Sequence, residues 1–142
     1  MKSGPLKIFI DTNIWFSFFY GSNNGEKLIN AHVEGKIKAV ISKQILEETI
    51  KNLKDKIPQA IPVFEKFIKA TPPIIIKDPT SVNRLIRDLV SKEDSNIIGS
   101  AISAKVKYFV TGNIKDFKRD RLKEKVKIEV LTPKEAIDEL KL

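Results

Sequence analysis

Short apolar runs alternate with longer stretches of helical spacing along this chain, and that alternation limits what it can fold into. Leu6 to Ile10, Ile37 to Ile41, Ile74 to Ile76, Tyr108 to Val110 and Val126 to Leu131 read as strands. Between them, Thr12 to Tyr20, Glu26 to Glu34, Lys43 to about Lys56, Val63 to Ala70, Ser81 to Val90 and Ser95 to Ala104 read as helices, with Pro133 to Leu140 closing the chain. The punctuation agrees. Gly21 to Gly25 is a turn, Gly35 stops a helix, Ser42 is placed to cap one, and Thr71-Pro72-Pro73 ends another. In the third helix Ile45, Leu46, Thr49, Ile50 and Leu53 recur at helical spacing, and in the fifth Val82, Leu85, Ile86 and Leu89 share one side. A loop containing Asp116 and Phe117 joins the fourth and fifth strands. Strands separated by helices demand crossover connections, which lay helices on both faces of a parallel sheet. The expected fold is three-layer α/β/α, with a central, mostly parallel sheet of four to five strands. With no repeat or linker, residues 1–142 are expected to form a single domain.

Composition narrows the chemistry. There is no cysteine and one histidine, His32, so thiolate sites and Cys–His catalysis are excluded and a metal site would need oxygen ligands. Lys and Arg number 26 against 18 acids, a net charge of +8, which suits a polyanionic partner such as nucleic acid and equally suits a lysine-rich surface. No hydrophobic run approaches the roughly 20 residues of a spanning helix. The N-terminus MKSGPLKIFI lacks the apolar stretch of a signal peptide, so the protein is expected in the cytoplasm, with no membrane association.

Against this basic background, acids gather where the strands end. In open parallel sheets, ligands bind at the carboxyl ends of the strands. The first strand runs straight into Asp11, followed by Thr12 and Asn13; the fourth ends on Thr111-Gly112-Asn113. Glu47 and Glu48 lie early in the helix after Ser42, and Asp94 sits near the start of the helix before the fourth strand. Each has an ordinary reading. Asp11 can cap a helix, Glu47 or Glu48 can be a solvated first-turn acid, Asp94 can be an N-cap, Asn113 can serve a turn, and Asp116 can be a loop acid beside Lys115 and Lys118. Together they place several oxygen ligands at one end of one sheet, the kind of site that Mg²⁺ or Mn²⁺ takes. Such an ion can activate a water and stabilise an in-line displacement at phosphorus.

IFIDTN, then VISKQILEETIKNL, then KEDSNIIGSAISAKVKYFVTGNIKDF resemble, in that order, the PIN domain. The resemblance runs from about Leu6 to Leu140. It implies a small metal-dependent ribonuclease of the kind found as the toxin component of toxin–antitoxin pairs, acting on single-stranded RNA. The catalytic acids it implies are Asp11, Glu48 (which fits the spacing from Ser42 better than Glu47) and Asp94, holding Mg²⁺ or Mn²⁺. Thr12, Asn13, Thr111 and Asn113 would support them. Many PIN domains have Thr-Gly-Asp where this chain has Thr-Gly-Asn, so Asn113 stands in the place of a fourth acid and Asp116 becomes the candidate for the missing metal ligand. Lys43, Lys115, Lys118 and Arg119 are candidates for neutralising substrate phosphates. The resemblance also implies an antitoxin partner and a homodimer, for which part of the aromatic stretch WFSFFY is a candidate contact. Two other classes remain open. One is a PIN-like module with weakened catalysis that binds RNA or protein. The other is a phosphotransferase or phosphatase using Asp11 as nucleophile, which would normally carry a second acid where this chain has Asn13.

Overall fold

The computed structural model describes residues 5–19, 21–79 and 84–142, with only the backbone of Leu85, Lys92 and Glu93. Five strands form one sheet: β1 (Leu6–Ile10), β2 (Ile37–Ser42), β3 (Ile74–Ile76), β4 (Tyr108–Val110) and β5 (Glu129–Leu131). Their spatial order is β3-β2-β1-β4-β5 and every pairing is parallel. Eight α-helices accompany them among the described residues: α1 (Thr12–Phe18), α2 (Asn23–Val33), α3 (Lys43–Lys56), α4 (Ile61–Ala70), α5 (Arg84–Leu89), α6 (Lys92–Ser103), α7 (Arg119–Val126) and α8 (Pro133–Leu140). The expected α/β architecture is present, with the parallel sheet at its centre.

The inner strands are apolar on both faces because both faces are covered. Ile8, Phe9 and Ile10 in β1, Ala39 to Ile41 in β2, and Phe109 and Val110 in β4 are all inaccessible to solvent. Burying side chains of this size stabilises the fold by roughly 1.5–3 kcal/mol each. Phe9 and Phe109 meet across the β1–β4 pair with ring centroids 5.5 Å apart, and Phe117 packs on Phe109 at 5.3 Å. On α1, Trp15 is buried, packs edge-on against Phe64 and Phe67 of α4, and donates its indole N–H to the carbonyl of Ile10 at 3.0 Å. That bond fixes α1 against the end of β1. Phe16, Phe18 and Phe19 pack on the core while remaining partly accessible; Tyr20 lies outside the described residues.

Several element boundaries differ from the sequence expectation. Residues 119–126 are helical, where a loop was expected, and β5 begins at Glu129 instead of Val126. In α7 only Leu122 is buried, so RDRLKEKV carries no apolar stripe to reveal it; Lys127, with φ 61°, ends the helix in the left-handed conformation. Helix α2 starts at Asn23 because the Ser22 side chain caps it by accepting from the Gly25 amide. Gly25 lets the helix pass close to α1: a β-carbon there would lie 2.6 Å from Ser17 Oγ, so that hydroxyl would have to leave its bond to Ile14 O. Helix α6 starts at Lys92, capped by Ser91, so Asp94 is inside the first turn and is not the cap. The expected helical positions Ser81 and Val82, and the side chain of Leu85, lie outside the description.

Candidate active site

The sheet order reverses between β1 and β4, and the polar residues gather at that point. Asp11 extends β1 by one step, its amide bonding to Val110 O at 3.0 Å, while Thr111 extends β4 by bonding to Leu131 O at 3.0 Å. The two side chains therefore emerge side by side. Thr111 Oγ1 donates to Asp11 Oδ2 at 2.8 Å, and the Thr12 amide donates to Asp11 Oδ1 at 2.8 Å. The Thr111 oxygen in turn accepts from Asn13 Nδ2 at 3.3 Å and from the Asn113 amide at 3.1 Å. Asn13 Oδ1 accepts from the Gly112 amide at 2.9 Å, and a β-carbon on Gly112 would sit 3.3 Å from that oxygen. Thr12, Asn13, Thr111 and Gly112 thus form a cradle that holds one carboxylate.

A cleft of about 340 Å³ opens in front of Asp11. One wall is Asp11, Thr12, Asn13 and Phe16; a second is Gln44, Glu48, Asn52 and Lys56 from α3; a third is Asp94 and Ile97 from α6. Glu48 is held through both oxygens, accepting from Thr12 Oγ1 and from Gln44 Nε2, each at 3.1 Å. Glu47 is exposed and does not line the cleft, so the structure distinguishes the two glutamates. Asp94 accepts from Ser91 Oγ at 2.8 Å while its own amide donates back to that hydroxyl at 3.2 Å. Helix α3 is fixed from outside the cleft by Asp78, just past β3. Its carboxylate accepts from the Gln44 amide at 2.9 Å and from Ser100 Oγ on α6 at 3.5 Å, linking the two helices that carry Glu48 and Asp94.

The electrostatics are those of a charge held without compensation. Burial pushes the Asp11 carboxyl up from its ordinary 3.8 to about 6; the hydrogen bonds from Thr111 and Thr12 hold it down in part, and the Asp94 and Glu48 carboxylates push it further up. Among the described residues neither Asp11 nor Glu48 has an ion-pair partner. Hard carboxylate oxygens around a buried, uncompensated negative charge are the donor chemistry of a divalent cation. As the side chains stand, no group of three acidic or histidine side chains among the described residues is arranged to hold one.

The other candidates lie elsewhere. Asn113 Nδ2 donates to Asp116, both residues are exposed, and neither lines the cleft. Lys43 and Lys115 are exposed and also outside it. Lys118 donates to Asp88 O at 3.2 Å, and Arg119 is tied to Val130 O at 2.9 Å and to Glu135 at 2.8 Å beside a separate hollow. Gln44, Asn52 and Lys56 were not expected at the site. Their signal was present: with Glu48 they recur every four residues along one face of α3. Asp78 had none, lying 34 residues from the amide it caps.

The PIN domain family profile matches residues 7–115, most of the chain, and the protein belongs to that family. PIN domains are generally nucleases that use divalent metal ions. In fold, the protein is similar to a chain of VapBC2 from Rickettsia felis, solved bound to a DNA fragment from their promoter (TM-score 0.63, 16% identity, covering 89% of this chain and 98% of that one). It is likewise similar to a chain of DNA-bound VapBC from Salmonella typhimurium (TM-score 0.61, 20% identity, covering 90% and 98%). No curated protein matches the sequence. No described helix is long and apolar enough to cross a membrane.

Proposed function

We propose that residues 1–142 act as one nuclease domain, a metal-dependent endoribonuclease that hydrolyses phosphodiester bonds of single-stranded RNA and is the toxin component of a toxin–antitoxin pair. One observation carries it: Asp11, Glu48 and Asp94, from three separate elements, face one cleft, with the first of them buried and in no ion pair among the described residues. These three would hold Mg²⁺ or Mn²⁺, with Asp116 as a fourth donor once it leaves Asn113. Bound there, the ion supplies an activated water and a positive charge at the scissile phosphate. The chain's own contribution is positional. Thr111 and the Thr12 amide aim the Asp11 carboxylate, Thr12 and Gln44 fix Glu48, and Ser91 orients Asp94. A narrow cleft between helices admits a flexible single strand more readily than a duplex. The likeness of fold to chains of VapBC complexes supports an antitoxin as partner, and the partly accessible aromatics of α1 suit a contact with it or with a second copy.

The test is cleavage of varied single-stranded RNA with Mn²⁺ and with chelator, using wild type and the folded variants Asp11→Asn and Asp94→Asn. Cleavage that survives either substitution, or survives chelator, sinks the assignment. The position of Asn113 supports a second hypothesis. With its amide bonded to Asp116 outside the cleft, the fourth acidic corner is missing, as in a module that binds RNA or protein without cutting. RNA binding with no metal-dependent cleavage would favour it.

A further inference from the structure

Among the described residues that line the acidic cleft, one is a cation: Lys56. This is unexpected in a chain with 26 basic residues. It lies at the far end of the face of α3 that carries Gln44, Glu48 and Asn52, about 12 Å along the helix from Glu48 at 1.5 Å per residue. Its ammonium sits 5.7 Å from the centroid of the Phe16 ring, on the opposite wall. Among the described residues it forms no ion pair. Along α3 the lining thus runs from Gln44 and Glu48 near the sheet, through the carboxamide of Asn52, to an ammonium over an aromatic face at the far end.

A lysine in the last turn of a helix has an ordinary explanation, since cations there complement the helix dipole. Lys54 occupies the same turn and fits that account; both lysines are exposed, but Lys54 does not line the cleft. Lys56 differs in direction. It leans across the cleft mouth onto Phe16, an attraction that restrains a side chain otherwise free to sample solvent.

We infer that Lys56, restrained by Phe16, is a phosphate-binding residue that seats the nucleic-acid strand beyond the scissile position, with Asn52 between the two. This rests on the nucleic-acid substrate proposed above. A strand entering a cleft of three carboxylates is repelled by them, and Lys56 offsets that repulsion at the far end of α3. It therefore favours seatings in which one phosphate lies at Lys56 while another, further along the strand, faces the acids.

The experiment measures binding of a short fluorescent single-stranded RNA in chelator across salt concentrations, and, in Mn²⁺, the KM and kcat for its cleavage. Lys56→Ala is expected to weaken binding and make the salt dependence shallower by about 0.7 in log–log slope, as loss of one single-strand phosphate contact should. The wild-type advantage then shrinks about threefold between about 50 and about 200 mM salt. KM should rise more than kcat falls. Lys56→Arg should restore the slope, Phe16→Leu should give an intermediate loss, and Lys54→Ala should leave binding unchanged. If the wild type cleaves but Lys56→Ala keeps its salt slope and KM, the inference fails and the nuclease assignment stands. If the wild type binds without cleaving and Lys56→Ala flattens the slope, the inference stands and the hydrolase assignment falls. If the wild type neither binds nor cleaves RNA, both fall.

Discussion

Replacing Asp11 by Asn should make the metal-free protein more stable, and the size of the effect should depend on pH. Burial and two neighbouring carboxylates raise the Asp11 carboxyl from 3.8 to about 6, so ionising it in the folded state costs about 3 kcal/mol relative to the unfolded chain. The sign follows from proton counting. Between the two pKa values the folded state holds a proton that the unfolded state has released, so stability falls as pH rises. The favourable contribution is complete below about 3.8 and gone above about 6. Asn mimics the neutral acid, but its amide can present an acceptor to only one of Thr111 and the Thr12 amide, a loss of about 1 kcal/mol. Asp11→Asn should therefore be about 2 kcal/mol more stable than wild type near pH 7.5 and about 1 kcal/mol less stable near pH 3.5. Urea denaturation of both proteins in chelator across this range measures the difference, because titrating groups away from the cleft cancel. A difference that stays constant with pH would show that Asp11 is not held as an uncompensated charge, and would remove the physical basis for a cation site there. In Mn²⁺ the order should invert, since the ion stabilises only the protein that binds it.

His32 is buried, accepts from the Ala39 amide at Nδ1 (3.1 Å) and donates from Nε2 to Thr71 O (2.9 Å), an arrangement that requires the neutral ring. Burial lowers its pKa most, Lys38 adds to the lowering, and the Thr71 carbonyl opposes it; its contribution should be intact above pH 6.5 and lost as pH falls. Thermal melts of wild type and His32→Gln should accordingly diverge above pH 6.5 and converge in acid. Lys127 holds φ 61° at the end of α7, where Gly carries no β-carbon penalty, so Lys127→Gly should raise stability by about 0.5–1 kcal/mol in a urea titration. Calorimetric titration with Mn²⁺ should show tighter binding for Asn113→Asp and weaker binding for Asp116→Ala; if Asp116→Ala binds as well as wild type, Asp116 is not a ligand.

Most of the scaffold was legible because packing and pattern agree. The apolar runs of β1 and β4 and the stripe of α3 coincide with the elements observed, since inner strands covered on both faces must be apolar where they are buried; β3 also matches, although it is an edge strand that leaves Ile75 exposed. Helix α7 is hard to read from the sequence because Leu122 is its one fully buried residue, and Val126 and the bonds of Arg119 to Val130 O and Glu135 add no apolar period. The start of α2 reads as a turn because Asn23-Asn24-Gly25 has turn composition; the helix begins there because Ser22 caps it, with Gly25 packed close to Ser17 of the preceding helix. In the cleft, Asp11, Glu48 and Asp94 were legible as acids near strand ends. The contacts that hold them were mostly not: the Asp78 cap and the Thr12–Glu48 bond join residues more than thirty apart, and no local pattern encodes either.

The bond between Thr111 and Asp11 joins residues 100 apart in the chain. All three candidate acids lie within the first 94 residues, yet the partner that aims the first of them, and the strand β4 that flanks it, come later. Closing a loop of that length is among the entropically expensive steps of folding and is expected to be slow. A chain made only as far as residue 94 therefore carries Asp11, Glu48 and Asp94 without the threonine that aims the first of them. On the function proposed above, the cleft should become competent only after β4 has paired with β1 and brought Thr111 to Asp11.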